Sequence, residues 1–114
     1  MDALQMTLLF DYYGDLLTDR QRQCFDMRHN QDLSLTEIAE ELHVSRQGVY
    51  DNLSRAEALL VNMEEKTGCM RRDLQCRAAA HHIREAAEKL FTIDCENATD
   101  IANQILQIVA ELEE

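Results

Sequence analysis

Residues Ser34 to Ala56 leave this chain few ways to fold. Leu35, Ile38, Ala39 and Leu42 stand at i, i+3, i+4 and i+7, which makes one apolar face of a short helix. Ser34 or Thr36 is placed to cap that helix. Only His43 and Val44 intervene before Ser45, whose hydroxyl can accept an orphan amide hydrogen and open a second helix. Val49, Leu53 and Ala56 turn an apolar face back onto the first. Two short helices locked face to face across so tight a turn have the layout of a DNA-binding helix-turn-helix. That layout leaves Ser45, Arg46, Gln47, Tyr50, Asp51, Asn52 and Arg55 at the outward end and side of the second helix. Among these, Asn and Gln match adenine and Arg matches guanine in a major groove.

The remaining chain has to be helical too. It contains no Pro and three Gly (Gly14, Gly48 and Gly68), too little punctuation for a many-stranded sheet. Leu, Ala, Glu, Gln, Arg and Met dominate, and all are good helix formers. The fold class is therefore all-α. Met6, Leu9, Tyr13, Leu16 and Leu17 predict a first helix over residues 3–17, with Gly14 weakening its last turn. Thr18 or Asp19 caps a second helix over residues 20–29 that buries Cys24 and Phe25, with Met27 or the stem of Arg28 beside them. Asn30, Gln31 and Asp32 form a turn. The motif's second helix has no stop signal before Gly68. Val49, Leu53, Ala56, Leu60 and Met63 keep its apolar spacing, so about 22 residues give a rod of roughly 33 Å. Gly68 then serves as a left-handed cap.

Beyond it, Cys69, Cys76, Ile83 and Leu90 recur every seven residues, with Ala80 and Ala87 four positions after Cys76 and Ile83, a heptad seam. Asp94 can cap a last helix whose apolar positions are Ile101, Ile105, Ile108 and Leu112. The expected organisation is an N-terminal helix-turn-helix domain over residues 1–67. A C-terminal helical hairpin over residues 68–114 packs on that domain or dimerises with it.

Charge sets a limit on function. The chain carries 22 acids against 11 bases, a formal net charge of −11. Nonspecific nucleic-acid affinity comes from neutralising phosphates, so this sign works against indiscriminate binding. The motif region is nearest to neutral: residues 20–55 hold Arg20, Arg22, Arg28, Arg46 and Arg55 against six acids. Leu8, Leu9 and Phe10 form the only apolar run near the amino terminus, and Asp11 cuts it short with no basic stretch before it, so no leader is expected. No segment approaches the ~20 apolar residues of a membrane span. Four cysteines on such a chain point to free thiols in a reducing cytoplasm.

Leu17–Arg22, Ser34–Ala39 and Val44–Ser45 together resemble region 4 of bacterial sigma factors, and Val49–Ala56 is similar to the recognition helix of the extracytoplasmic-function group. Over its whole length the chain is identified as a member of the YlxM family of small bacterial helix-turn-helix proteins. The resemblance implies an all-helical, non-enzymatic regulatory protein connected with the signal recognition particle pathway. Its implied partners are nucleic acid, either DNA or the signal recognition particle RNA, and signal recognition particle proteins. The chain departs from sigma recognition helices at Tyr50, Asn52 and Glu57, where those commonly carry Lys or Arg, and it shows no counterpart of sigma region 2.

The residues expected to bind nucleic acid are Ser45, Arg46, Gln47, Tyr50, Asn52 and Arg55. No nucleophile stands with a partnered base at motif spacing, and there is no Gly-rich phosphate loop, so neither catalysis nor a cofactor is expected. Cys69 and Cys76 are too far apart for a zinc knuckle, and the cysteines are better read as small core hydrophobes. His81 and His82 are adjacent and form a surface pair, so no metal is expected. The amphipathic seams of the C-terminal half favour a homodimer, which would let a reader helix reach two half-sites. A competing reading is an acidic protein-interaction adaptor with a vestigial motif, docking through Glu111, Glu113 and Glu114.

Overall fold

The computed structural model describes residues 2–113, all-α with no strand among them. Glu114, part of the expected acidic docking face, lies outside the described residues. Two compact units divide the chain, Met1–Met70 and Arg71–Glu114.

In the first unit, caps fix where each helix begins. Helix α1 (Ala3–Tyr13) starts at Asp2, α2 (Asp19–Phe25) at Thr18 and α3 (Leu35–Leu42) at Ser34. Each of these caps belongs to a capping box, with Gln5, Gln21 and Glu37 returning the bond. Such a cap contributes about 1 kcal/mol. Ser45 opens α4 (Arg46–Thr67) by accepting from the Gly48 amide at 3.0 Å. Thr36 and Asp19 are therefore not the caps. The helix expected over residues 3–17 ends at Tyr13, followed by a 3₁₀ turn at Gly14–Leu16 that leaves Leu16 exposed and Leu17 buried. The helix expected over residues 20–29 runs from Asp19 to Phe25 and widens into a π turn, Asp26–Asn30. Met27 is half-buried, while Arg28 is exposed and donates to the Leu33 carbonyl at 3.2 Å.

These elements close over one core. Phe25, Leu9, Ile38, Leu60, Val49 and Cys24 are its largest fully buried side chains. Phe10 stacks on Phe25 with ring centroids 4.6 Å apart, and Phe25 in turn stacks on His29 at 4.2 Å. Burial of each large apolar side chain is worth about 1.5–3 kcal/mol. A polar knot sits at the far end of α4. The buried Tyr13 hydroxyl donates to Glu64 Oε1 at 2.6 Å and lies 2.9 Å from Thr67 Oγ1. The same Glu64 oxygen accepts from the Met70 amide at 3.0 Å, just past the left-handed Gly68 (φ 60°) that ends α4. Burial, and the carboxylate that holds its proton, push the Tyr13 phenol above its ordinary pKa.

The second unit holds most of α5 (Cys69–Lys89), a 3₁₀ turn at Leu90–Thr92, and α6 (Glu96–Leu112). Its buried residues are Ala80, Ala87, Ala98, Ala102 and Val109. The expected seams are corrected here. On α5 Ala80 and Ala87 face inward, while Cys76 and Ile83 are exposed. On α6 the inward stripe is Ala98, Ala102, Ile105 and Val109, and it leaves Ile101, Ile108 and Leu112 exposed. Asp94 caps nothing; Cys95 holds the N-cap position without a side-chain bond. Arg84 of α5 pairs with Glu113 at the end of α6. Of the cysteines, only Cys24 is a core residue: Cys69 is half-buried, and Cys76 and Cys95 are exposed.

Candidate nucleic-acid interface

The angle between α3 and α4 is set by the turn at His43–Val44. His43 adopts left-handed backbone (φ 56°), so the α3 carbonyls are closed by two reversed bonds. The His43 amide donates to the Glu40 carbonyl and the Val44 amide to the Ala39 carbonyl at 3.1 Å, the paired bonds of a Schellman ending. Val44 then packs onto the core, and Ser45 begins α4 at once. Arg20 reaches from α2 to the Leu42 carbonyl at 3.5 Å. With Ile38 and Ala39 buried on α3, and Val49, Leu53 and Ala56 on α4, the pair is held rigidly enough to present one face of α4.

The contents of that face are decided by helix geometry. At about 100° per residue, the buried stripe Val49–Leu53–Ala56–Leu60 leaves an exposed arc. Arg46 and Tyr50 stand on one edge, Arg55 on the other, and Gln47, Asp51 and Ser54 lie between. Arg46 and Arg55 are about half a turn apart around the axis and about 13 Å apart along it. Two guanidiniums so placed suit the opposite phosphate walls of a groove. Tyr50 is exposed, four residues after Arg46 on that edge.

Two expected readers hold bonds within their own helix. The Asn52 amide donates one of its two hydrogens to the Gly48 carbonyl at 2.8 Å, and the side chain is half-buried on the flank. The Gln47 amide donates to Asp51 Oδ1 at 3.0 Å, which pairs a base-reading group with an acid. Ser45 accepts the cap bond from the Gly48 amide and keeps its hydroxyl hydrogen. Of the six expected residues, Arg46, Tyr50 and Arg55 remain exposed without such an engagement among the described bonds. Asp51 repels phosphate from the middle of the arc, and Glu40 and Glu41 of α3 are exposed nearby in sequence. Sequence reasoning missed Ser54, Arg20 and the left-handed His43. The i, i+4 spacings Gly48–Asn52 and Gln47–Asp51 were the available warning of the internal bonds.

Beside this face, an open hollow is lined by Ala3, Met6, His29, Ser54, Glu57, Ala58 and Val61. His29 Nε2 lies 2.9 Å from Glu57 Oε1 at its rim, tying the π turn to α4. Among the described residues, no group of three or more His, Cys, Asp or Glu side chains could hold a metal ion, and no helix is long and apolar enough to cross a membrane.

A capped helix pair, a Schellman turn and a second helix presenting its outer arc define a helix-turn-helix protein. The chain belongs to the UPF0122 family of YlxM/p13-like helix-turn-helix proteins, whose model matches residues 1–98. It is 44% identical over 113 residues to a UPF0122 protein of Thermoanaerobacter sp. strain X514, covering 99% of this chain and 95% of that one. A UPF0122 protein of Acetivibrio thermocellus is 43% identical over 107 residues, 94% of this chain and 89% of its own. A third, from Caldanaerobacter subterraneus, is 50% identical over 84 residues, 74% of this chain and 72% of its own.

Proposed function

We propose that this is a cytoplasmic, non-enzymatic regulatory protein that binds nucleic acid through α4 as a homodimer, without metal or cofactor. One observation carries the reading: α4 presents an exposed arc with Arg46 and Arg55 on its opposite edges, held by a two-residue Schellman turn. Arg46, Tyr50 and Arg55 make the contacts, Ser45 and Gln47 sit at the entering end, and Asn52 stiffens the helix behind them. The target in this reading is DNA or the RNA of the signal recognition particle. Filter binding to duplex DNA and to that RNA, over a salt series, tests this. Arg46→Ala with Arg55→Ala should flatten the salt dependence of log K by about two units, since each lost phosphate contact removes about 0.9. Absence of any salt-dependent binding by the wild type at low ionic strength would sink the reading. Sequencing of crosslinked nucleic acid separates DNA from RNA.

The second reading, an acidic adaptor of the targeting machinery with a vestigial motif, is favoured by the internal bonds of Gln47 and Asn52 and by the net charge of −11. Protein partners of the export machinery that survive nuclease treatment, and are lost on charge reversal at Glu111 and Glu113, would support it over the first.

A further inference from the structure

The α5–α6 hairpin has two flanks, and one of them carries no charge. Its helices run antiparallel, since the end of α6 returns to α5 and pairs Glu113 with Arg84. Their buried stripes are Ala80 and Ala87 on α5, and Ala98, Ala102 and Val109 on α6. At about 100° per residue, Ala79, Ile83, Ala86 and Leu90 lie about 60–120° to one rotational side of Ala80. Ile101, Ile105, Ile108 and Leu112 lie about 60–120° to the same rotational side of Ala102. Between antiparallel helices, the same sense of rotation puts both sets on one side of the pair. The isoleucines that flank the α6 stripe therefore continue the flank of α5. Here Ile83 is 45% exposed, Ile101 48%, Ile108 59% and Leu112 74%, and Ala79 and Ala86 are exposed beside them. None of the eight residues is charged. Arg77, Glu85 and Glu88 of α5 fall on the other side, with Glu96 and Asp100 of α6.

The make-up of this flank selects its occupant. On α5 it is a shallow row, with Ala79 and Ala86 on either side of Ile83, whereas on α6 it is a raised row of large side chains. The rows are equal in length, since residues 79–90 and 101–112 each span about 16 Å. A two-fold axis along the hairpin lays the α6 row of each copy on the α5 row of the other, so the large residues meet the small ones twice over. A charged partner finds no counter-charge here, whereas two copies of net charge −11 meet where neither carries any. At about 16 Å long and two helix diameters wide, the flank lets two copies bury on the order of 1,000 Å² between them, the low end for a specific contact. We infer that the flank built from Ile83, Ile101, Ile108 and Leu112 packs on the same flank of a second copy, closing a four-helix bundle. An interface of this size makes a reversible dimer. The inference rests on the homodimer proposed above and gives that dimer its surface.

Sedimentation velocity on the full chain, free of nucleic acid, tests this contact separately from any binding role. The wild type should reach twice 13.2 kDa at tens of micromolar. Ile101→Asp with Ile108→Asp should raise the dissociation constant about a hundredfold or more, because the carboxylates would be buried unpaired. Ala79→Lys with Ala86→Lys fills the shallow row at exposed helical positions that Lys suits, and should raise it about tenfold. Glu88→Ala with Asp100→Ala, on the charged side, should leave it within about twofold. A wild type that stays monomeric overturns both this contact and the homodimer. A dimer indifferent to the isoleucine pair, or one weakened as much from the charged side, overturns this contact alone. If circular dichroism shows the isoleucine variant unfolded, the alanine variant decides in the same way. None of these outcomes alters the salt-dependent binding that tests α4.

Discussion

At the scale of single residues, backbone conformation and burial separate side chains that the sequence shows as equals. Asp32, His43 and Gly68 all adopt positive φ at turns, and only one of them is glycine. Left-handed backbone costs an ordinary L-residue about 1–2 kcal/mol. His43→Gly should therefore raise the unfolding free energy by about 1 kcal/mol, read by urea denaturation, with the α3–α4 turn unchanged. The cysteines divide in a similar way. Burial pushes the Cys24 thiol up, against the smaller opposing pull of Arg20, while Cys76 and Cys95 are exposed. Iodoacetamide at neutral pH should alkylate Cys76 and Cys95 rapidly and reach Cys24 only on unfolding, as mass mapping will show. The sequence could not make this division, because four free cysteines without a pairing pattern all resemble small hydrophobes.

At the scale of elements, the helix ends carry their own chemistry, and this is why they were legible. Thr18, Ser34 and Ser45 have the polar oxygen a cap requires, and Gly68 has the freedom its φ of 60° requires. What stayed illegible has no local signature. The π turn at Asp26–Asn30 preserves composition and shifts only the register. On α6, Ile101, Ile108 and Leu112 outweigh alanines in any hydrophobic pattern, yet Ala98 and Ala102 take the inside because small residues fit close helix contacts. The Tyr13–Glu64 bond joins residues 51 apart, beyond the reach of periodicity. Tyr13→Phe should cost about 1 kcal/mol by removing that bond from a part-buried carboxylate. The raised Tyr13 pKa fixes a sign as well. The folded state holds the phenol proton more tightly than the unfolded chain, so this stabilisation is intact below the ordinary tyrosine pKa of about 10. It is lost as pH rises through the folded value. Chemical denaturation from pH 8 to 11 should show the wild type losing more stability than Tyr13→Phe.

At the scale of the molecule, apolar burial is divided unequally. The first unit holds Phe25, Leu9, Ile38, Leu60 and Val49 in a shared core, whereas the buried side chains of the second are four alanines and Val109. A chain ending at Met70 should keep a cooperative thermal transition followed by circular dichroism. Residues 71–114 alone should show at most a broad, concentration-dependent one. An all-α chain led by a helix-turn-helix was legible from the sequence, because the motif's stripes, caps and turn agree with one another. The state of its reading face was not, since whether Asn52 points at a groove or at the Gly48 carbonyl depends on a rotamer.

If α4 binds DNA as proposed, that rotamer limits how finely a genome can be searched. A good direct base contact discriminates by about 1–3 kcal/mol. With Asn52 committed to its own helix and Gln47 to Asp51, the two arginines are the main readers left, and about 4 kcal/mol between them is a preference of roughly a thousandfold. Competing sites on a bacterial chromosome number about a million or more. One copy of α4 would be distributed over wrong addresses nearly all the time. On the proposed reading, a target for this face is met by two copies together, or singled out by shape and abundance, as a folded RNA is, and not by its spelling.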